Sequence, residues 1–238
     1  MGISALDKVT QIKSDTLSGD LVKRLTSAIV EGDMPLGSKI SEPELAKRYG
    51  VSRGPLREAL VKLEALGLIT RTANVGARVV ELNIEDLIDT FTLREAMEGM
   101  AARLAAELIS EEEIQRLYTL LDDHQAYLDS NQDEHYTSQH GNEDFHLRII
   151  YASKNQKLIR LLTQDLYATI RMYRRHTADS RSDPRQALRE HKAILDAIAN
   201  REGDLAELLM RRHISRAANL LKQAMMQNNI AEGNSGRP

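Results

Sequence analysis

Between Ser41 and Val80 the chain has very little conformational choice. Ser41-Glu42-Pro43-Glu44 is a helix start, with a capping serine, an acid-rich first turn and an early proline. Gly50 closes that helix over 42–49. Val51-Ser52 then leads within a few residues into a second helix over 53–66, capped by Ser52 and closed by Gly67. Beyond Gly67 two short β-prone runs, Leu68-Ile69-Thr70-Arg71 and Ala77-Arg78-Val79-Val80, flank Asn74-Val75-Gly76, which predicts a hairpin. An earlier helix over 21–30 puts Leu21, Leu25, Ala28 and Ile29 on one face, and the Gly32 to Gly37 stretch with Pro35 ends it. Helix, helix, glycine turn, helix and hairpin is the order of a winged helix-turn-helix. The tight turn makes its two helices cross sharply and leaves the later one projecting.

That projecting helix opens Ser52-Arg53-Gly54-Pro55-Leu56-Arg57. Arg53 and Arg57 are four apart, so both guanidinium groups emerge on one face near the helix N-terminus, where free N–H groups favour phosphate. Arginine also grips guanine bidentately, so this is a reader of duplex DNA in chemical terms. Local charge agrees: residues 41–80 hold 7 basic side chains against 4 acidic, although the whole chain is at -3. The competing reading, two solvated surface charges, leaves the spacing and the hairpin unexplained.

The remainder, from about 83, reads as helix: 84–108, 110–129, 138–152, 156–175, 184–200 and 204–227 each repeat apolar residues every three or four positions. Short polar breaks between them make neighbours antiparallel, so the fold class is mainly α, a winged helix-turn-helix followed by an all-α bundle. Working limits are 1–82 for the first domain, 83–230 for the bundle and 231–238 for a frayed tail without periodicity. With 238 residues there is enough chain for both cores, and with no cysteine a disulfide scaffold and thiolate metal sites are excluded. No apolar run is long enough to span a membrane, and a soluble cytoplasmic protein is expected.

Site chemistry in the bundle rests on histidine. His146, His191 and His213 fall on the apolar stripes of three different helices. Neutral imidazole is the commonest metal ligand, and three of them hold a divalent ion with positions left open. Each taken alone reads better as a hydrogen-bonded core histidine, and His124 also lies near an apolar stripe. His135, His140 and His176 occupy polar segments or a helix end.

Two resemblances sharpen this. Leu36-Gly37-Ser38, Leu45-Ala46, the run Val51-Ser52-Arg53-Gly54-Pro55-Leu56-Arg57-Glu58-Ala59-Leu60, Gly67-Leu68-Ile69 and Asn74-Val75-Gly76 resemble the DNA-binding domain of the GntR family of bacterial transcription regulators. The resemblance implies a homodimer on a short palindromic double-stranded operator, with Ser52, Arg53 and Arg57 touching DNA and Gly76 entering the minor groove from the wing. Some members carry a further arginine where this chain has Pro43. Asn142-Glu143-Asp144-Phe145-His146, Glu190-His191-Lys192-Ala193-Ile194 and Arg212-His213-Ile214 resemble the motifs of the FCD effector domain, which marks the FadR-like subgroup. That resemblance implies a divalent metal, zinc first with nickel or manganese as alternatives, on Asn142, His146, His191 and His213, together with a small carboxylate effector. Many members have aspartate at the position of Asn142, and a neutral amide is the weaker ligand for a hard cation. Arg94 matches an arginine that faces the ligand cavity in many FCD domains and suits a carboxylate, though Glu98, one turn on, is its natural helical ion-pair partner.

The expected function is a ligand-responsive DNA-binding regulator, a repressor in type, and not an enzyme. The alternative is a metal-dependent hydrolase using the histidines to activate water. It lacks a His-Glu-x-x-His run and leaves the basic helix and hairpin without a purpose.

Overall fold

The computed structural model of the protein describes residues 17–72, 75–130, 142–176 and 184–235, with only the backbone described at 142–144, 176 and 228–235. In chain order the elements are α1 (Leu17–Val30), β1 (Lys39–Ile40), α2 (Glu42–Tyr49), α3 (Arg53–Ala65), β2 (Ile69–Thr72), β3 (Gly76–Val79), α4 (Ile84–Leu108), α5 (Glu111–Ser130), α6 (Asn142–Ala152), α7 (Gln156–Arg160), α8 (Tyr167–His176), α9 (Pro184–Ala199) and α10 (Gly203–Ser235). A single π-helical turn, Leu161–Asp165, lies between α7 and α8. The chain divides into two compact units. One holds the residues up to Asn83 together with Gln164–His176, the other Ile84–Thr163 and the described residues from 184 onward.

In the first unit, α1, α2 and α3 close on a core in which Leu25, Ile29, Leu56, Leu60, Leu63 and Leu68 are fully buried. Burying aliphatic side chains of this size contributes about 1.5–3 kcal/mol each, which offsets the ordering of three short helices. Gly50 in the left-handed conformation, φ 65°, ends α2 and lets the chain turn into α3 within a few residues. Ser41 and Ser52 occupy the two N-cap positions with extended backbone, but neither side chain makes the capping hydrogen bond that the sequence suggests. The hairpin is antiparallel, pairing Ile69 with Val79 and Thr72 with Gly76. β1, too short for any periodicity, adds on the other side of β3 to give the order β1-β3-β2.

A helix from far along the chain completes this unit. Within α8, Ala168 and Met172 belong to the same core as Leu25 and Leu60. Arg171 donates to Glu31 at 2.9 Å, and the Tyr173 hydroxyl donates to the Asn83 carbonyl at 2.9 Å. The stripe over 156–175 therefore does not form one helix. Asn155 caps α7, accepting from the N–H groups of Lys157 and Leu158. The Thr163 hydroxyl then donates back to the Ile159 carbonyl at 2.7 Å inside the π turn, and such back-bonding loosens the regular helical ladder.

In the second unit α4 packs chiefly along α10, while α9 lies against α5, α10 and α4, and α6 against α4. Gly99 permits the closest approach: a Cβ there would come within 2.6 Å of Arg211 Cγ on α10. Helix α10 continues to Ser235, into the tail expected over 231–238, since extending an existing helix is far easier than nucleating one. Among the described residues no helix is long and apolar enough to cross a membrane.

Candidate nucleic-acid face and metal centre

On the first unit, Leu56, Ala59, Leu60 and Leu63 turn α3 inward and leave Ser52, Arg53, Gly54 and Arg57 exposed on its outer side. The Ser52 hydroxyl makes no capping hydrogen bond to α3. Arg57 is not isolated: its Nε donates to Glu42 Oε2 at 3.0 Å, from the first turn of α2. Pro43 sits beside that glutamate at the helix start, where its missing N–H costs nothing. Gly76 opens β3 at φ 104°, a conformation that side chains bearing a Cβ rarely adopt, while the space around it is open to within 4.0 Å of Lys39 Cε. The wing is braced by Arg78, whose Nη1 donates to the Gly37 carbonyl at 2.8 Å.

In the second unit α6, α9 and α10 bring His146, His191 and His213 together. All three are buried, and one ring nitrogen from each lies within 4.8 Å of the others. His191 stacks on Phe145 with ring centroids 4.2 Å apart, and its Nε2 lies 3.2 Å from His213 Nε2. His124 is also buried, on α5, but is not part of this cluster. Asn142 begins α6 one turn before His146; its side chain lies outside the described residues, as do His135 and His140, and so does the side chain of His176.

Two carboxylates that sequence reasoning did not assign to the site organise it. His146 Nδ1 lies 2.6 Å from Glu98 Oε2, and His213 Nδ1 lies 2.7 Å from Glu190 Oε2. Burial works against ionising Glu98, yet the Arg94 guanidinium and His146 hold its carboxyl well below the usual range. Glu190 is likewise opposed by burial, but hydrogen bonds from His213, Arg216 and Gln186 bring it down to about 2. Both are therefore acceptors, and each bonded imidazole donates from Nδ1. Burial brings His146 down to about 4 and also lowers His213, so both rings are neutral near pH 7 with the Nε2 lone pair exposed to the cluster. His146 Nε2 is buried without a hydrogen-bond partner. A buried lone pair left unmatched costs about 1–3 kcal/mol, and a cation shared with the other two imidazoles would satisfy it. The donor set, three imidazoles with two of them oriented by carboxylates, fits a divalent ion of the zinc or nickel type.

Arg94 lies on the buried stripe of α4 and its Nε donates to Glu98 Oε1, the ion pair anticipated from their four-residue spacing. Through Glu98 it is linked to His146, and its positive charge weighs against protonating His146 and His213. The Nη groups take no part in the bond to Glu98. Glu98 carried one legible signal, its four-residue spacing from Arg94 on a buried stripe; Glu190, on the partly exposed edge of α9, carried only its place before His191 in the FCD-like motif.

Comparison with known proteins agrees with this architecture. Residues 17–79 match bacterial regulatory proteins of the gntR family, and residues 89–216 match the FCD domain. The Nta operon transcriptional regulator of Aminobacter aminovorans is 34% identical over 187 residues, covering 76% of this chain and 82% of that protein. The HTH-type transcriptional repressor RspR of Escherichia coli strain K12 is 28% identical over 192 residues, covering 81% of this chain and 83% of its own length. Among solved structures, E. coli McbR/YncC superposes with a TM-score of 0.71 at 20% identity, covering 87% of this chain and 98% of that one, a likeness of fold. A winged helix-turn-helix with an exposed arginine pair, followed by an FCD bundle with a buried histidine triad, places this chain in the gntR family of bacterial transcription regulators, with an FCD effector domain.

Proposed function

We propose that the protein is a cytoplasmic, ligand-responsive repressor-type regulator and not an enzyme. It binds a short palindromic operator as a homodimer, through residues up to 82, and senses a small carboxylate beside a divalent metal through 83–230. On the DNA side Ser52, Arg53 and Arg57 meet the major groove and Gly76 carries the wing to the minor groove. The observation that carries the effector half is the convergence of three buried histidines with an unmatched Nε2 on His146, whose Nδ1 is linked through Glu98 to the Arg94 guanidinium. His146, His191 and His213, with Asn142 as the fourth ligand, would hold the ion. A divalent cation there supplies positive charge and open positions to an anionic ligand. Arg94 orients the carboxylate through its Nη edge while Glu98 keeps hold of Nε. The hydrolase reading is disfavoured by the same geometry, because the two carboxylates at the cluster are engaged by imidazole and guanidinium and so cannot serve as a base for water. An effector that binds one DNA-binding arrangement better than another changes operator affinity by about 1–3 kcal/mol.

The test is thermal unfolding against a panel of mono-, di- and tricarboxylates, before and after chelation, followed by selection of duplex from a random pool with and without the active acid. A shift from one acid that vanishes on chelation, and a change in operator affinity by the same acid, is expected. No shift from any acid would overturn the carboxylate assignment. Failure to select any duplex would overturn the DNA assignment.

A further inference from the structure

Each of the two carboxylates at the cluster is itself held by an arginine. On α4, Arg94 donates through Nε to Glu98 Oε1 while His146, from α6, bonds Oε2 of the same group. Across the cluster Glu190, on α9, takes His213 Nδ1 at 2.7 Å and Arg216 Nη2 at 2.7 Å on Oε2, both from α10, with Gln186 on Oε1 at 2.9 Å. The same Arg–Glu–His chain thus occurs twice, assembled from different helices, and both copies end on a histidine of the triad. We infer that Glu98 and Glu190 are positioning residues for the metal centre, each locking one histidine in the Nδ1–H tautomer so that its Nε2 lone pair faces the shared ion. The inference rests on the metal reading above.

The chemistry leaves little choice. A neutral imidazole has one donor and one acceptor nitrogen, and a carboxylate can only accept. Bonding at Nδ1 therefore commits Nε2 to the acceptor role, which is the one a metal needs. The arginines keep each carboxylate ionised and prevent it from turning toward the ion as a ligand in its own right. His191 stacks face to face on Phe145 and, with His213 held as Nδ1–H, is the donor of the 3.2 Å Nε2–Nε2 contact between the two rings in the metal-free protein, a proton that the ion would displace. Orienting partners of this kind typically alter metal affinity by about 10- to 100-fold.

Glu98→Gln gives the sharpest test. Arg94 must keep an oxygen to donate to, so the amide NH2 of the variant faces His146 Nδ1 and donates to it. The ring then has to carry its proton on Nε2, pointing at the cluster. In metal-free protein labelled with 15N-histidine, long-range NMR correlations are expected to show His146 and His213 as Nδ1–H tautomers. Glu98→Gln should convert His146 alone to Nε2–H, and Glu190→Ala should leave His213 alone in a mixture. Zinc affinity, measured by competition with a chromophoric chelator, should fall about 10- to 100-fold in each variant. If Glu98→Gln fails to fold, by circular dichroism, the half-buried Glu190 carries the test. Unchanged tautomers, or full zinc affinity in both variants, overturns the positioning role and leaves the metal reading standing. Wild-type protein with the locked tautomers that takes up no zinc overturns the metal reading itself.

Discussion

Arg57 Nε and Glu42 Oε2 are 3.0 Å apart across the turn that joins α2 to α3, so an arginine assigned to DNA is tethered by a carboxylate on the neighbouring helix. The Arg57 side chain remains 61% exposed, which keeps the pair's worth to stability within about 1 kcal/mol. Its consequence lies in recognition. Glu42→Ala removes the tether and one negative charge from the proposed DNA face. It is expected to raise affinity for scrambled duplex and to reduce the preference for a selected operator several-fold. Arg57→Ala should lose about 1–3 kcal/mol of operator binding. Fluorescence anisotropy on both duplexes at two salt concentrations measures this; equal discrimination by wild type and Glu42→Ala would refute it.

The wing depends on one backbone angle. Gly76 has room for a side chain but sits at φ 104°, so Gly76→Val costs conformational strain of about 1–3 kcal/mol rather than a steric clash. A lowered unfolding midpoint with weakened operator binding is expected. An unchanged midpoint would mean that the hairpin relaxes without penalty.

In the second unit Arg201, itself at φ 64°, closes the end of helix α4. Its Nη1 donates to the carbonyls of Ala106 and Ile109 at 3.1 and 2.9 Å. These are carbonyls at the end of a helix, which cations favour. Arg201→Ala should destabilise the second unit by about 1–3 kcal/mol in urea unfolding. DNA binding by the first unit should persist under native conditions. A midpoint within error of wild type would show that water replaces the guanidinium at no cost.

Acid should destabilise the metal-free protein. Burial lowers His146 from 6.5 to about 4 and lowers His213 as well. Above pH 6.5 neither the folded nor the unfolded chain protonates His146, and its contribution is complete. As the pH falls the unfolded chain takes up a proton that the folded one refuses, and stability drops by about 1.4 kcal/mol per unit per histidine until the folded value is reached. His146 alone accounts for a loss of about 3 kcal/mol across that window. Urea midpoints at about pH 7.5 and about pH 5, in chelator, should differ accordingly. Equal midpoints, or an equal fall in His146→Asn, would contradict the assignment.

Helix α2 was readable to the residue because its limits are local: Ser41 and Pro43 start it and Gly50, in the left-handed region, ends it. The same holds for α4, whose bounds follow from a periodic stripe between polar breaks, while the hairpin was legible as an element with each strand displaced by one residue, Ile69–Thr72 for 68–71 and Gly76–Val79 for 77–80. That His146, His191 and His213 face inward was also legible, since each lies on an apolar stripe. What each stripe faces was not. The 3.6-residue period states that a side of a helix is buried without naming its partner, so Ala168 and Met172 looked like bundle residues until the tertiary structure set them in the core around Leu25. Glu98 and His146 are 48 positions apart, and Glu190 and His213 are 23. No propensity, cap or charge pattern links residues at such separations; only the packing of α4, α6, α9 and α10 brings carboxylate to imidazole, and with it the orientation of the candidate metal site.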